Sequence, residues 1–201
     1  MSYCNADDQY SDLCEKCGRV PDEIKDPRCS ICGQTPVKEK TRHYFFKLKN
    51  FSDKLTEYLD NNNNLQKDVK KYVQNWIKEG LTDWDITRDI SWGVPIPIDG
   101  EKEKVFYGWF DNHLAYISSA IKFLNDNGKN GKNFWNESDI YHFIGKDIVY
   151  HHYLFLPAIR LGINEEYKLP DYIPTRGHLT LQSRKISKSR NWYIGLKDFL
   201  E

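Results

Sequence analysis

Two groups of residues in this 201-residue chain carry recognisable chemistry. The first is Cys14, Cys17, Cys29 and Cys32, spaced C-x2-C-x11-C-x2-C, with each pair continuing into glycine in CEKCG and CSICG. A two-residue gap lets both sulfurs of a pair reach one tetrahedral ion, and the glycine permits the positive-φ turn that closes such a knuckle. The segment around them is too polar to hold itself together by burial, so ion binding would supply its folding free energy. The pattern predicts a structural Zn2+ on four thiolates, with no open position for a substrate. Two disulfides or four free thiols are the other readings, and disulfides fit poorly with an intracellular protein. Cys4 is left over as a thiol near the chain terminus.

The second group is LQSRKISKSRNW, residues 181–192, where Arg184, Lys185, Lys188 and Arg190 surround Ser183, Ser187 and Ser189. From Tyr172 through Lys197 there are six Lys or Arg, Lys197 included, and no Asp or Glu. A solvated surface loop is one reading. A mobile clamp for nucleotide phosphates is the other, since stabilising a transferring phosphoryl group needs cations and donors.

The elements that must hold these groups follow from apolar spacing. Phe51, Leu55, Tyr58 and Leu59 form a helical stripe that the Asn run at 61–64 ends. Leu65, Val69, Tyr72, Val73, Trp76 and Ile77 form a second stripe, closed by Gly80, and both stripes read as packing core. From residue 104 the rhythm becomes strand (KVFYGWFD), helix (HLAYISSAIKFLND), strand (DIYHFIGKD), helix kinked at Pro157, and a third extended piece (YIPTRGHLTLQ). That alternation predicts an α/β fold with three parallel strands. The rim at their carboxyl ends would carry Trp109 and Asp111, then Gly145 and Asp147, then His178. Three such strands are too few for a covered parallel sheet. The chain therefore reads as the C-terminal half of a Rossmann-type sheet plus a small zinc-knuckle module. No glycine-rich phosphate loop opens it.

Bulk properties narrow the possibilities further. Lys+Arg and Asp+Glu both number 29, so any anion site must be local. Hydrophobic residues make up 39%, enough for a folded core. No apolar run approaches the roughly 20 residues of a membrane span, and the polar, acidic start is no signal peptide, so a cytoplasmic home is expected.

Three motifs together resemble one family. KISKS at 185–189 is similar to the lysine–serine signature of class I aminoacyl-tRNA synthetases. GLTDWDITRDISWGVPIP (80–97) and YHFIGKDIVYHH (141–152) narrow the resemblance to methionyl-tRNA synthetases, and the paired knuckles and the NW after KISKS to their archaeal and eukaryotic type. It implies ATP-dependent activation of methionine to methionyl-adenylate, with Mg2+ accompanying the ATP, and transfer to tRNA(Met). It also implies a partner carrying the N-terminal catalytic half with its His-x-Gly-His element, and a separate anticodon-binding domain. A split enzyme and a fragment both fit, and the initiator Met favours a natural start.

By the same resemblance, Lys185 and Lys188 contact the pyrophosphate moiety, with Lys188 stabilising the transition state. Trp109, Tyr116, Ile148 and His152 line the methionine pocket, and Gly145 and Asp147 sit at the ATP ribose. Cys4 would be the remnant of a further knuckle. The organisation expected is a zinc module at 1–43, the catalytic half with its preceding helices at 44–180, and the signature loop with the start of the next segment at 181–201. Two departures stand out. WFDNHLAY replaces the usual Trp-x-Asp-Ala-Pro-x-Gly-Tyr at Asn112, His113 and Ala115, and FLPA places Leu156 where the family has an aromatic residue. A non-catalytic module that binds RNA or protein is the alternative reading.

Overall fold

The computed structural model describes residues 4–7, 23–101, 103–163, 166–188 and 191–201; for Lys185 the description is of the backbone alone. The chain divides into two compact units, Met1–Arg42 and His43–Glu201. In the first unit the described feature is a tight turn at Cys29–Gly33. Gly33 N–H donates to the Cys29 carbonyl at 2.9 Å, and Gly33 has φ of +72°. Cys14 and Cys17 lie outside the described residues.

The second unit opens with β1 (Phe45–Phe46), a single 3-10 turn, and α1 (Ser52–Asn61). Leu55 and Leu59, one helical turn apart, are both fully buried. Removing a leucine side chain of this kind from water is worth about 1.5–3 kcal/mol. The helix stops at Asn62, whose side chain turns to donate to the carbonyls of Pro170 and Asp171 at 3.1 Å. Next comes α2 (Lys67–Glu79), which buries Val73 and packs Val69, Trp76 and Ile77 on the same core. It ends at Gly80, whose φ of +101° suits glycine alone. Tyr72 departs from the expected stripe. It is 55% exposed and only lies across Trp76, with ring centroids 4.4 Å apart.

Three short strands follow: β2 (Trp84–Asp85), β3 (Thr87–Arg88) and β4 (Val105–Phe106). β1 pairs antiparallel with β2, and β3 antiparallel with β4. The long helix α3 (Gly108–Asp126) and α4 (Gly131–Glu137) come next, the latter capped by the Asn130 side chain accepting from Asn133 N–H. β5 (Ile144–Gly145) leads through a 3-10 turn and a π turn (His151–Phe155) into α5 (Leu156–Gly162). β6 (Thr175–Arg176) returns parallel to β5 in the register Ile144↔Thr175 and Gly145↔Arg176, so β5, the helical crossover and β6 form one βαβ unit. β7 (Thr180–Leu181) and β8 (Arg184–Lys185) make a hairpin, and α6 (Leu196–Leu200) closes the chain. Tyr153, Leu154, Ala158 and Ile173 join Leu48, Leu55, Leu59 and Val73 in the main core. No helix among the described residues is long and apolar enough to cross a membrane.

The expected three parallel strands need correction. Parallel pairing among the described residues joins only β5 and β6, extended by a bridge between Tyr141 and Tyr172. β4 cannot join them through Val105, because that residue is flanked on both edges, by Arg88 of β3 and by Pro95, in antiparallel pairing. The KVFYGWFD segment is also not a strand throughout. It turns helical at Gly108, so Trp109 and Asp111 stand on the first turn of α3 and not at a strand end. Phe110 explains the switch. Helical spacing brings its ring to 5.2 Å from Phe106 and 5.8 Å from Trp84, and this packing overrides the strand preference of an aromatic-rich run.

The kink expected at Pro157 takes a different form. Proline there cannot donate to the carbonyl four residues back. The turn before it widens, and Leu156 N–H donates five residues back to the His151 carbonyl.

Candidate active site

The expected methionine-pocket residues come from three elements: α3 carries Trp109 and Tyr116, the 3-10 turn after β5 carries Ile148, and the widened turn carries His152. α3 supplies Trp109, His113 and Tyr116, which share one helical face by their spacing of four and three. The widened turn supplies His151 and His152. Trp109 stacks on His151 at 4.6 Å between ring centroids. His113 lies 5.5 Å from His151 and 5.7 Å from His152. His142, just before β5, completes the group, 5.5 Å from His152 and edge-on to Tyr116 at 4.8 Å.

His152 is fixed at both nitrogens. Its Nδ1 lies 3.1 Å from the Ile148 carbonyl, which can only accept, so Nδ1 carries the proton. Nε2 is then a bare acceptor, and the Tyr116 hydroxyl, 3.3 Å away, donates to it. His152 itself is 1% exposed, while Tyr116 is 45% exposed. Together they form one wall of a cavity of about 390 Å³ whose lining includes Trp135, Ile140, Phe143 and Ile144 on the apolar side and Ser138, Asp139 and His142 on the polar side. Ile148 does not line this cavity and only holds His152 through its carbonyl. Trp109 stands behind the wall, against His151.

Burial keeps these histidines uncharged. It pushes His113 and His142 down to about 3 and His151 to about 4, and lowers His152 as well. The neighbouring Arg160 guanidinium, itself buried and lowered to about 10, further disfavours protonation of His113, His142 and His152. The aromatic, polarizable part of this cavity suits an uncharged side chain such as a thioether.

At the end of β5, Gly145 and Asp147 form a second feature. A Cβ on Gly145 would come within 2.5 Å of Asp147 Oδ1. The absence of a side chain thus lets the carboxylate fold back over the strand end. Asp147 is exposed, as a group that meets a ligand must be. His178 is half-buried just before β7.

The third feature is the lysine–serine segment. Lys185 sits on β8 opposite Thr180; its side chain lies outside the described residues, as do Ser189 and Arg190. Lys188 is exposed and has no carboxylate partner among the described residues. No hydrogen bond among the described residues links this segment to the Tyr116–His152 wall.

Of the departures, Leu156 is almost fully buried, whereas Asn112 and Ala115 are exposed. His113 is 1% exposed, with neither ring nitrogen hydrogen-bonded. Neither His142 nor His151 stands out from the sequence motifs. The available signal is the concentration of four of the chain's six histidines at 113, 142, 151 and 152.

The Cys29–Gly33 turn bears on the metal. The Cys29 thiol is held below its ordinary range by the backbone N–H of Cys32, then that of Ile31, then the Cys32 side chain. N–H groups aimed at a sulfur favour thiolate, the form that binds zinc. Both cysteines are free of disulfides. The described half of the four-cysteine set therefore fits the metal. Among the described residues alone, no group of three or more ligands is assembled.

Comparison with known proteins places the chain. The family model described as tRNA synthetases class I (M) matches residues 2–201, and the chain belongs to that family. A methionine–tRNA ligase of Methanobrevibacter smithii is 47% identical over 194 residues, covering 94% of this chain and 29% of the relative. One of Methanopyrus kandleri is 44% identical over 201 residues, covering 98% of this chain and 30% of the relative. The crystal structure of Mycobacterium tuberculosis methionyl-tRNA synthetase bound by methionyl-adenylate superposes with a TM-score of 0.65 at 27% identity, covering 82% of this chain and 32% of that one. The chain thus spans about a third of the length of these relatives.

Proposed function

We propose that this chain supplies the C-terminal half of the Rossmann-like catalytic domain of a methionine–tRNA ligase. It acts with a polypeptide carrying the N-terminal half. The observation that carries this reading is the neutral wall at Tyr116 and His152, facing a largely aromatic cavity in a chain of this family. The relatives named methionine–tRNA ligase, and the neighbour bound by methionyl-adenylate, support the same substrates here.

In this reading the methionine side chain lies against Tyr116 and His152, with the Ile148 carbonyl holding His152 and Trp109 backing the wall through His151. Its carboxylate oxygen attacks the α-phosphorus of ATP; the bond to the β-phosphate oxygen breaks and pyrophosphate leaves. Negative charge grows on the phosphoryl oxygens, and the Lys188 ammonium, with Lys185, balances it. Gly145 and Asp147 receive the ribose, the carboxylate accepting from its hydroxyls. Mg2+ bound with ATP would neutralise part of the triphosphate charge. The methionyl group then passes to a ribose hydroxyl of tRNA(Met), with an anticodon-binding domain supplied separately. Zn2+ on Cys14, Cys17, Cys29 and Cys32 would hold the first unit folded. The proposed place of work is the cytoplasm.

The test is methionine-dependent exchange of pyrophosphate into ATP by this chain assembled with an N-terminal half. Exchange in the complex and none with either chain alone is the expected result. A folded complex without exchange overturns the proposal.

A further inference from the structure

The lysine–serine segment is built as two small hairpins joined by one side chain. The first is β7–β8, whose turn residues Gln182 and Ser183 both have positive φ, +50° and +62°. That pair of values is the two-residue turn that matches strand twist. In the second, Ser187 and Trp192 exchange both backbone hydrogen bonds at 2.9 Å. Inside that pair, Asn191 N–H donates to the Lys188 carbonyl at 3.1 Å, with Asn191 at φ +51°, a conformation that Asn tolerates better than most residues.

Lys188 is thus the first residue beyond the closing pair. Trp192 ties that pair to the first hairpin. Its indole Nε1–H donates to the Leu181 carbonyl on β7 at 3.1 Å. The Arg184 guanidinium of β8 lies 4.8 Å from its ring centroid. One half-buried side chain therefore touches both strands of the first hairpin, while its backbone closes the second.

We propose that Trp192 is a positioning residue for Lys188, tying the tip that carries this ammonium to the β7–β8 hairpin. The inference rests on the assignment of Lys188 to the phosphates made above. Trp192 touches no reacting atom in this scheme; it acts only through the place of Lys188.

Two measurements test it. The first uses the 201-residue chain alone, in limited trypsin digestion, and reads cleavage after Lys188 against cleavage after Lys129 in the exposed turn beyond α3. Trp192→Ala should speed the Lys188 cut about tenfold and leave the Lys129 cut unchanged, as local opening predicts. Trp192→Phe, which keeps a ring beside Arg184 but lacks the N–H, should fall between. Equal rates at Lys188 in all three chains overturn the tie.

The second uses the complex assembled with an N-terminal half. Trp192→Ala should lower the turnover of pyrophosphate exchange about tenfold with the methionine KM held within about twofold. It should cost nothing further in a Lys188→Ala background, the signature of action through that lysine. Equal losses in both backgrounds overturn the proposal. A complex without any exchange strikes the proposed function, and the digestion then decides the inference by itself.

Discussion

The Tyr116 hydroxyl donates to His152 Nε2 across 3.3 Å, and the ring can accept only because its other nitrogen is committed to the Ile148 carbonyl at 3.1 Å. Three residues from α3, the 3-10 turn and the π turn thereby settle one tautomer. Tyr116→Phe leaves Nε2 as a buried acceptor with no donor, a loss of about 1–3 kcal/mol. In the assembled enzyme the methionine KM should rise several-fold while the ATP KM stays put. Exchange kinetics at varied methionine check this; an unchanged methionine KM removes Tyr116 from the pocket wall.

The buried histidines give the acid limb of stability a definite sign. His113 and His142 titrate near 3 when folded and near 6.5 when unfolded. Between those values the unfolded chain binds more protons, so stability falls as pH drops through 6.5 and recovers as pH rises. By pH 5.5 each ring should cost roughly 1 kcal/mol. Denaturant unfolding at pH 7.5 and 5.5 measures the loss, and His113→Leu should shrink it. An identical pH dependence in that variant would contradict the burial argument.

Gly145→Ala places a methyl 2.5 Å from the present position of Asp147 Oδ1. The carboxylate is the exposed end of a movable side chain, so it should swing aside at a stability cost under about 1 kcal/mol. The ATP KM should rise at least several-fold with little change in the methionine KM. Thermal unfolding and exchange kinetics together separate this outcome from general damage.

Lys188→Ala should lower exchange turnover by about 10²–10³, the scale of one lost charge-stabilising donor in a transition state. Lys188→Arg keeps the charge and should recover part of the rate. A neutral effect in both variants would return the segment to a solvated loop.

Cys29→Ser with Cys32→Ser should abolish binding of about one zinc ion per chain, measured by metal analysis of the protein purified under reducing conditions. The first unit should then become protease-sensitive, and the His43–Glu201 unit should keep its own unfolding transition. Full zinc content in the double variant would reject the four-cysteine set.

Much of this arrangement is legible in the residues, and the illegible parts have physical reasons. The Leu55–Leu59 and Val69–Val73–Trp76–Ile77 stripes mark α1 and α2 because a helix buries one face at a fixed period. The start of α3 reads wrongly as strand because Phe106, Trp109 and Phe110 favour strands, and the packing of Phe110 on Trp84 and Phe106 makes helix the better choice. The number of parallel strands reads too high because local alternation does not reveal that Pro95 and Arg88 flank Val105. Histidine burial obeys no spacing rule, so His142 and His151 emerge only where β5 and the π turn meet α3. Lys188 stands out by motif, whereas its tie to Trp192 depends on two hairpins closing together.

The widened turn at His151–Phe155 holds one residue more than a regular helix would need. Each residue of an α-helix advances the side chains by about 100°. That single surplus residue sets the rotational phase between the two imidazoles and everything downstream. Excising one residue after His152 would restore regular winding and turn α5 by about 100° against the imidazoles.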